Sequence, residues 1–339
     1  MTCAVIFGGT GFIGSFLAQC LVVESKFKKV YLFDIESVAD KSSSFRRKLL
    51  LQYPEIVDVL GDVRQPIGWF PEEKVDLIAN LAAVHREPGH DDYEYYETNM
   101  LGAEHVCNWA QKVGCNDIIF TSSISPYGPS EEAKSECSLP APVTAYGGSK
   151  LVAEKIHLAW LAGDPSSRYL VIARPGVVFG PGEGGNVSRL VAALCSNYFF
   201  YMGNRNTRKA GVYVKELCSA TIWVLNRLKE NGEHFSLFNM TMDPSPSLEE
   251  YVDAICIVAN KKPFFPSVPY YLALGFSHFI DFIAKLLRMK NPFSPIRVKK
   301  LVASNNIIPS YLLKNGYQYR FTLISALQDW REECSEEWS

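Results

Sequence analysis

The sequence predicts an α/β fold: a doubly wound parallel sheet with a smaller, mixed C-terminal lobe. Three observations carry that prediction. The first is the opening stretch, in which the apolar run Cys3-Ala4-Val5-Ile6-Phe7 leads into Gly8-Gly9-Thr10-Gly11-Phe12-Ile13-Gly14. A helical pattern follows (Phe16, Leu17, Cys20, Leu21, Val22), and a second apolar run, Val30-Tyr31-Leu32-Phe33, ends on Asp34. Strand, glycine turn, helix, strand and acid, in that order, describe a Rossmann-like dinucleotide-binding unit. The second observation is that apolar runs alternate with helical patterns as far as Arg174, which makes a parallel sheet covered on both faces. The third is a change of character beyond Arg174, where glycine and proline loops separate shorter elements.

Taken in order, a helix is expected over Ser44 to Tyr53 and strands at Ile56 to Leu60 and Val75 to Ala79. A long helix follows from Tyr93 to Val113, then a strand from Asp117 to Thr121 and a Pro/Ser/Glu-rich loop from Ser125 to Pro142. The spacing then predicts a helix from about Tyr146 to Leu161, a strand from Tyr169 to Ala173, and helices over Asn186 to Cys195 and Tyr213 to Leu228. Phe235 to Met240 reads as a strand returning to the sheet. The cofactor-binding domain is therefore placed at 1–174 plus about 212–242, and the substrate lobe at 175–211 and 243–339.

Each residue of the glycine turn has a physical task. Gly8 permits the tight turn, Gly11 lets backbone approach a pyrophosphate, and Gly14 lets the helix pack close to the strand. The helix start at Phe12 and Ile13 offers unpaired N–H groups to the phosphates. Asp34 can accept hydrogen bonds from both adenosine ribose hydroxyls and repels a 2′-phosphate, so NAD is expected over NADP. Lys41, Arg46 and Arg47 lie a few residues on and are the groups that would instead favour a phosphate.

Composition narrows the classes. The formal net charge is −2 over 339 residues, with no basic tract of the kind that binds nucleic acid. Nine cysteines are scattered and never form CxxC, which reads as free thiols in a reducing, cytoplasmic compartment. The six histidines show no metal-ligand spacing, and no metal is expected. Tyr270 to Leu287 is the most apolar late segment, but His278, Asp281 and Lys285 make it a poor membrane span. Its helical periodicity predicts an amphipathic helix packed on the protein, with docking on a membrane surface as the alternative.

The chemistry-bearing constellation is Tyr146-Gly147-Gly148-Ser149-Lys150, preceded by Thr121-Ser122-Ser123 at a strand end. Tyr and Lys four apart share a helix face. A phenol titrates near ~10 and serves as a base at neutral pH only if its anion is stabilised. Lowering it by about three units takes roughly 4 kcal/mol, within reach of the Lys150 cation and an oxidised nicotinamide in a dry cleft. Ser123 is placed to hydrogen-bond the same substrate oxygen.

With these residues in view, the chain resembles an extended short-chain dehydrogenase/reductase of the NAD-dependent epimerase/dehydratase family, which acts mostly on nucleotide sugars. The matches are the glycine turn, Asp34, Gly61-Asp62-Val63, Leu81-Ala82-Ala83, and Tyr96 with Asn99 and Gly102. They continue through Ser122-Ser123, Tyr127-Gly128, the Tyr146/Lys150 pair and Arg174-Pro175 to Gly180-Pro181-Gly182, covering roughly the first 185 residues. The resemblance implies Ser123, Tyr146 and Lys150 as the catalytic set, with Tyr146 and Lys150 also touching cofactor. It implies Asp62 and Val63 beside the adenine, Leu81, Ala82 and Ala83 along the cofactor channel, and Asn99 and the Gly176 backbone on the nicotinamide side. A homodimer is a further implication.

Departures choose the reaction. Family dehydratases carry an Asp-Glu pair where this chain has Ser122-Ser123, so the dehydratase reading is rejected. The Asn that often contacts substrate phosphates in sugar epimerases aligns with Val177, and the usual Arg before the Tyr-Val motif falls on Lys209 or, with a one-residue slip, Arg208. His85, Arg86 and Asn186 are the other substrate candidates. The expected function is a 4-epimerase of a UDP-hexose or UDP-N-acetylhexosamine working through a transient 4-keto sugar. A 4-ketoreductase of a nucleotide-linked keto-deoxy sugar, a hydroxysteroid-dehydrogenase-like enzyme on an apolar alcohol, and an inactive cofactor-sensing regulator are the alternatives.

Overall fold

The strands of the main sheet are short and almost wholly apolar, because helices cover both of its faces. The computed structural model describes residues 2–40, 43–87, 89–262, 265–286 and 304–338. The chain runs β1 (Cys3–Phe7), α1 (Phe12–Val23), β2 (Lys29–Asp34), α2 (Ser44–Leu51), β3 (Ile56–Leu60) and β4 (Leu77–Asn80). Next come α3 (Asp92–Tyr96), a π-helical turn (Glu97–Leu101), α4 (Gly102–Val113) and β5 (Asp117–Thr121). A 3-10 turn (Ser125–Tyr127) and β6 (Ser130–Lys134) precede α5 (Ala145–Ala162), β7 (Tyr169–Pro175), β8 (Val177–Phe179), α6 (Asn186–Cys195) and β9 (Tyr201–Met202). The chain continues with β10 (Gly211–Tyr213), α7 (Val214–Asn231), β11 (Phe235–Met240), α8 (Leu248–Ala259), β12 (Ser267–Val268), α9 (Tyr270–Leu286) and β13 (Asn305–Ile307). Helices at Ser310–Lys314 and Leu323–Glu333 and a last 3-10 turn complete it.

Seven strands form one parallel sheet in the order β11-β7-β5-β4-β1-β2-β3. Strand direction sends alternate side chains into two cores. Ala4 and Ile6 pack with Phe16, Leu17 and Leu21 of α1 and Leu217 and Val224 of α7. Val5 and Phe7 pack on the other face with Val106 and Trp109 of α4 and Trp160 of α5. The order reverses between β1 and β4, so the ligand crevice lies outside the carboxyl ends of those two strands. The doubly wound α/β architecture is therefore present, and β11 joins the sheet beside β7 in parallel.

Several local expectations change. The strand expected from Val75 begins at Leu77, and the helix expected from Tyr213 begins at Val214, because Tyr213 ends β10 in parallel pairing with β8. The long helix over Tyr93 to Val113 is interrupted by its π turn. The loop over Ser125 to Pro142 contains β6, which pairs with β13 from far along the chain. At the C-terminus Trp330 is fully buried, 6.3 Å from Phe179 and 5.7 Å from Trp338 between ring centroids, which seats the last helix in the first core.

The apolar helix α9 differs most from a packed amphipathic element. Ser277 is buried, whereas Tyr271, Leu272 and Phe276 are 83%, 66% and 60% exposed. Among the described residues, no helix is long and apolar enough to cross a membrane. Lys41 falls outside the described residues.

Candidate active site

The loops that follow β1 and β4 meet at the switch point. Gly8 has φ +75°, and a Cβ there would stand 2.7 Å from the Ala82 nitrogen, so only glycine fits both the turn and the contact. A Cβ on Gly14 would stand 2.6 Å from the carbonyl oxygens of Gly8 and Gly9, which is how closely α1 packs on the turn. Gly11 caps α1 with no side-chain hydrogen bond and no acid in the first turn, leaving the N–H groups around Phe12 and Ile13 for an anion. Asp34 accepts from the Thr10 N–H at 3.1 Å and from the Ile35 N–H at 2.8 Å. Those bonds fix the carboxylate at the crevice mouth, and a carboxylate has lone pairs left for two ribose hydroxyls. A glycine cradle, an open helix N-terminus and a fixed acid fit the pyrophosphate and adenosine ribose of NAD.

Arg46 is a basic group whose charge Asp34 bears on. It donates to the Thr10 carbonyl at 3.4 Å, burial pushes its pKa down, and Glu36 and Asp34 pull it back up. Asp34→Ala should therefore narrow the preference for NAD over NADP, since it removes both the ribose acceptor and the repulsion of a 2′-phosphate while Arg46 stays. Binding titrations with both dinucleotides check this; tighter NADP binding by the unaltered protein would show that Asp34 does not set the choice.

Asp62 is gripped by Arg64 at 2.9 and 2.6 Å, and those hydrogen bonds hold its carboxyl below the usual range. Val63 is buried against Gly102, and Leu81, Ala82 and Ala83 continue from β4 along the crevice. Asn99, turned inward on the π turn, accepts from the Val84 N–H at 2.9 Å and donates to the Val84 carbonyl at 3.1 Å and to Ser149 Oγ at 2.9 Å. Both of its donors are committed to the protein, so it braces the loop after β4 against α5. The Gly176 N–H donates to the Met240 carbonyl at 3.0 Å, holding the start of β8 against the end of β11.

The Tyr146 face of α5 is set by Thr144, whose hydroxyl accepts from the Gly147 N–H at 3.2 Å and caps the helix. Burial pushes the Tyr146 phenol up to about 12, opposed by a hydrogen bond with Ser123. Ser123 Oγ also accepts from the Ser125 N–H at 3.1 Å. Burial pushes Lys150 down to about 7, opposed by Glu154. Lys150 donates to the Thr121 carbonyl at 2.7 Å and lies 4.8 Å from the Phe120 ring centre. Lys150 thus addresses the strand carbonyl of Thr121, one helix turn from the phenol. Burial favours the neutral form of both groups, and the positive charge of an oxidised nicotinamide would add to that of Lys150 in favouring the phenolate.

His85 and Arg86 follow on the loop after β4, where the Arg86 carbonyl accepts from Tyr95 at 2.5 Å. Desolvation, then the charges of Arg86 and Lys150, holds His85 below its ordinary pKa. The Arg86 charge also lowers the pKa of Arg46. Arg208 donates to the Ser245 carbonyl and lies 3.9 Å from the Glu250 carboxylate. The Lys209 N–H donates to the Pro246 carbonyl at 2.8 Å, one residue before Ala210, whose carbonyl accepts from the Val177 N–H at 2.8 Å. Both basic residues thus lie on the strand approach beside Val177. Asn186 turns instead to Arg189, which donates to it at 2.6 Å, and the N-terminus of α6 is closed by Glu183, which accepts from the Ser188 N–H at 2.8 Å.

Sequence reasoning missed the acid behind the site. Glu154 accepts from Ser122 at 2.5 Å and from Arg174 at 2.8 and 2.6 Å, all of it buried. Its spacing, four residues past Lys150, was the available signal.

Residues 4–238 match the model of the NAD dependent epimerase/dehydratase family. The chain is 28% identical to N-acetyl-α-D-glucosaminyl-diphospho-ditrans,octacis-undecaprenol 4-epimerase of Escherichia coli O157:H7, over 95% of this chain and 92% of that one. It is 25% identical to the decarboxylating sterol-4-α-carboxylate 3-dehydrogenase of Saccharomyces cerevisiae, over 88% of each. In fold it resembles the NAD complex of UDP-glucuronic acid 4-epimerase from Bacillus cereus, with a TM-score of 0.74, 16% identity and full coverage of both chains. The chain belongs to the NAD dependent epimerase/dehydratase family.

Proposed function

We propose that this chain is an NAD-dependent 4-epimerase of a hexose or N-acetylhexosamine held through a diphosphate, with UDP as the carrier in the first reading. The observation that carries it is the convergence of Ser123, Tyr146 and Lys150 at the crevice mouth opposite a fixed Asp34. Bound NAD supplies a hydride acceptor that can return the hydride to the other face of the sugar. Tyr146 takes the C4 hydroxyl proton and gives it back, while Ser123 holds the same oxygen. Lys150 adds positive charge beneath the phenol, and Gly8, Gly11, Gly14 and Asp34 hold the adenosine end. Arg208 and Lys209 are the candidates for the substrate diphosphate, through charge-assisted hydrogen bonds.

A specific observation favours a second carrier. Tyr271, Leu272 and Phe276 stand exposed on α9. The sequence from 282 to 303 then carries six basic residues and no acid. An apolar helix face followed by positive charge suits an anionic membrane surface. The name of the E. coli relative joins the sugar to a diphospho-undecaprenol. On this reading the enzyme is cytoplasmic, works at the membrane face, and takes the same sugar on a polyprenyl diphosphate. A homodimer, and an NAD-binding unit of 1–174 plus about 212–242, are part of the same proposal.

The test is a paired assay with UDP-N-acetylglucosamine and with N-acetylglucosaminyl-diphospho-polyprenol in vesicles. C4 inversion of the UDP sugar supports the first carrier, and inversion of the lipid-linked sugar alone supports the second. Inversion of neither, with net consumption of reduced cofactor on keto sugars, would overturn the epimerase in favour of a ketoreductase.

A further inference from the structure

Three side chains on one face of α5 meet three consecutive residues at the end of β5, and two of them are bonded there. Tyr146 faces Ser123, Lys150 donates to the Thr121 carbonyl at 2.7 Å, and Glu154 accepts from the Ser122 hydroxyl at 2.5 Å. Lys150 and Glu154 lie one turn apart on the helix, so bonds from both to adjacent strand-end residues fix its height and its rotation. Glu154 is also bonded twice to Arg174 in the neighbouring strand β7, and the Arg174 guanidinium lies 4.6 Å from the Tyr127 ring centre. Glu154 and Arg174 are 2% and 3% exposed. A buried pair of this kind adds little net stability, because desolvation offsets most of its attraction. Its contribution is geometric.

We infer that Glu154 is a positioning residue for the Tyr146–Lys150 pair, holding both in register with Thr121 and Ser123 through its bonds to Ser122 and Arg174. It touches neither substrate nor cofactor. Its charge has a second consequence, since it is the group that opposes the downward push of burial on Lys150. The other ionisable groups around Lys150 are Tyr146 one turn away, and His157 and His85, whose pKa values burial lowers. Glu87 and Tyr95 face Tyr146. Without the Glu154 charge, Lys150 loses its proton at lower pH, so the alkaline limb of the rate profile moves down.

This inference rests on the Tyr146 chemistry proposed above, and the experiment separates the two. Glu154→Gln is expected to lower kcat roughly 10- to 100-fold, the scale of a small misplacement of reacting groups, with KM little changed and the alkaline limb shifted to lower pH. A lower melting temperature with kcat and both limbs unchanged would overturn it. Removing one partner of a buried pair can unfold a protein, so Ser122→Ala, which leaves the Arg174 pair intact, decides where the first variant does not fold. It should lower kcat about tenfold at unchanged KM, and wild-type kcat would equally overturn the inference. Tyr146→Phe is measured alongside: if it stays active, the chemistry itself fails; if it is dead while the other two are normal, only the role of Glu154 fails.

Discussion

Tyr146→Phe is expected to lower turnover by about 10²–10⁴-fold, the range for loss of a general acid/base, with fold and NAD affinity nearly intact. The phenol oxygen is the group that Ser123 engages, while the ring lies against Tyr95 at 6.2 Å between centroids and keeps its packing in the variant. Since burial holds the phenol at about 12, the unaltered enzyme should lose rate as pH falls, because the ionised form that accepts a proton becomes scarcer. The phenylalanine variant should show no such acidic limb in whatever rate remains. Near-normal turnover would remove Tyr146 from the mechanism. A circular dichroism spectrum and an NAD titration separate a chemical loss from a structural one.

Lys150→Met should cost a comparable factor and should in addition weaken NAD binding. The ammonium is buried, donates to the Thr121 carbonyl and is pushed down to about 7. Methionine keeps most of the apolar stem but leaves that carbonyl without its donor, and removes a cation from beneath the phenol. The phenolate is then disfavoured, so the acidic limb should move to higher pH. Turnover and NAD affinity both unchanged would contradict the role given to Lys150.

The first half of the fold was legible because its signals are local. Cys3–Phe7, the glycine turn and Lys29–Asp34 each carry their own periodicity, and Asn186–Cys195 was placed by the glycine loop before it and by its own pattern. β6 was not legible, because Ser-Glu-Glu-Ala-Lys is a polar sequence that becomes a strand only by pairing with Asn305–Ile307. β8 and β10 are three residues each, too short for a period to show. The π turn at Glu97–Leu101 follows from tertiary demand, since it sets Asn99 against both Val84 and Ser149.

The site divides in the same way. Ser123, Tyr146 and Lys150 were readable because a helix face and a strand end declare them. The direction of Lys150, the closure of the α6 N-terminus by Glu183 and the Glu250 partner of Arg208 were not, because each depends on which chain segments meet. The exposure of α9 was also outside the reach of periodicity, which reports a face but not what covers it.

The central claim is that one hydride leaves C4 and returns to the same carbon without leaving the site. The direct measurement uses substrate deuterated at C4, supplied on UDP and on polyprenyl diphosphate, with catalytic enzyme and no added reductant. The account predicts product inverted at C4 that keeps its deuterium, with no net change at the reduced-nicotinamide absorbance band. Loss of the label to the cofactor pool, or reduced cofactor accumulating in step with product, would contradict it.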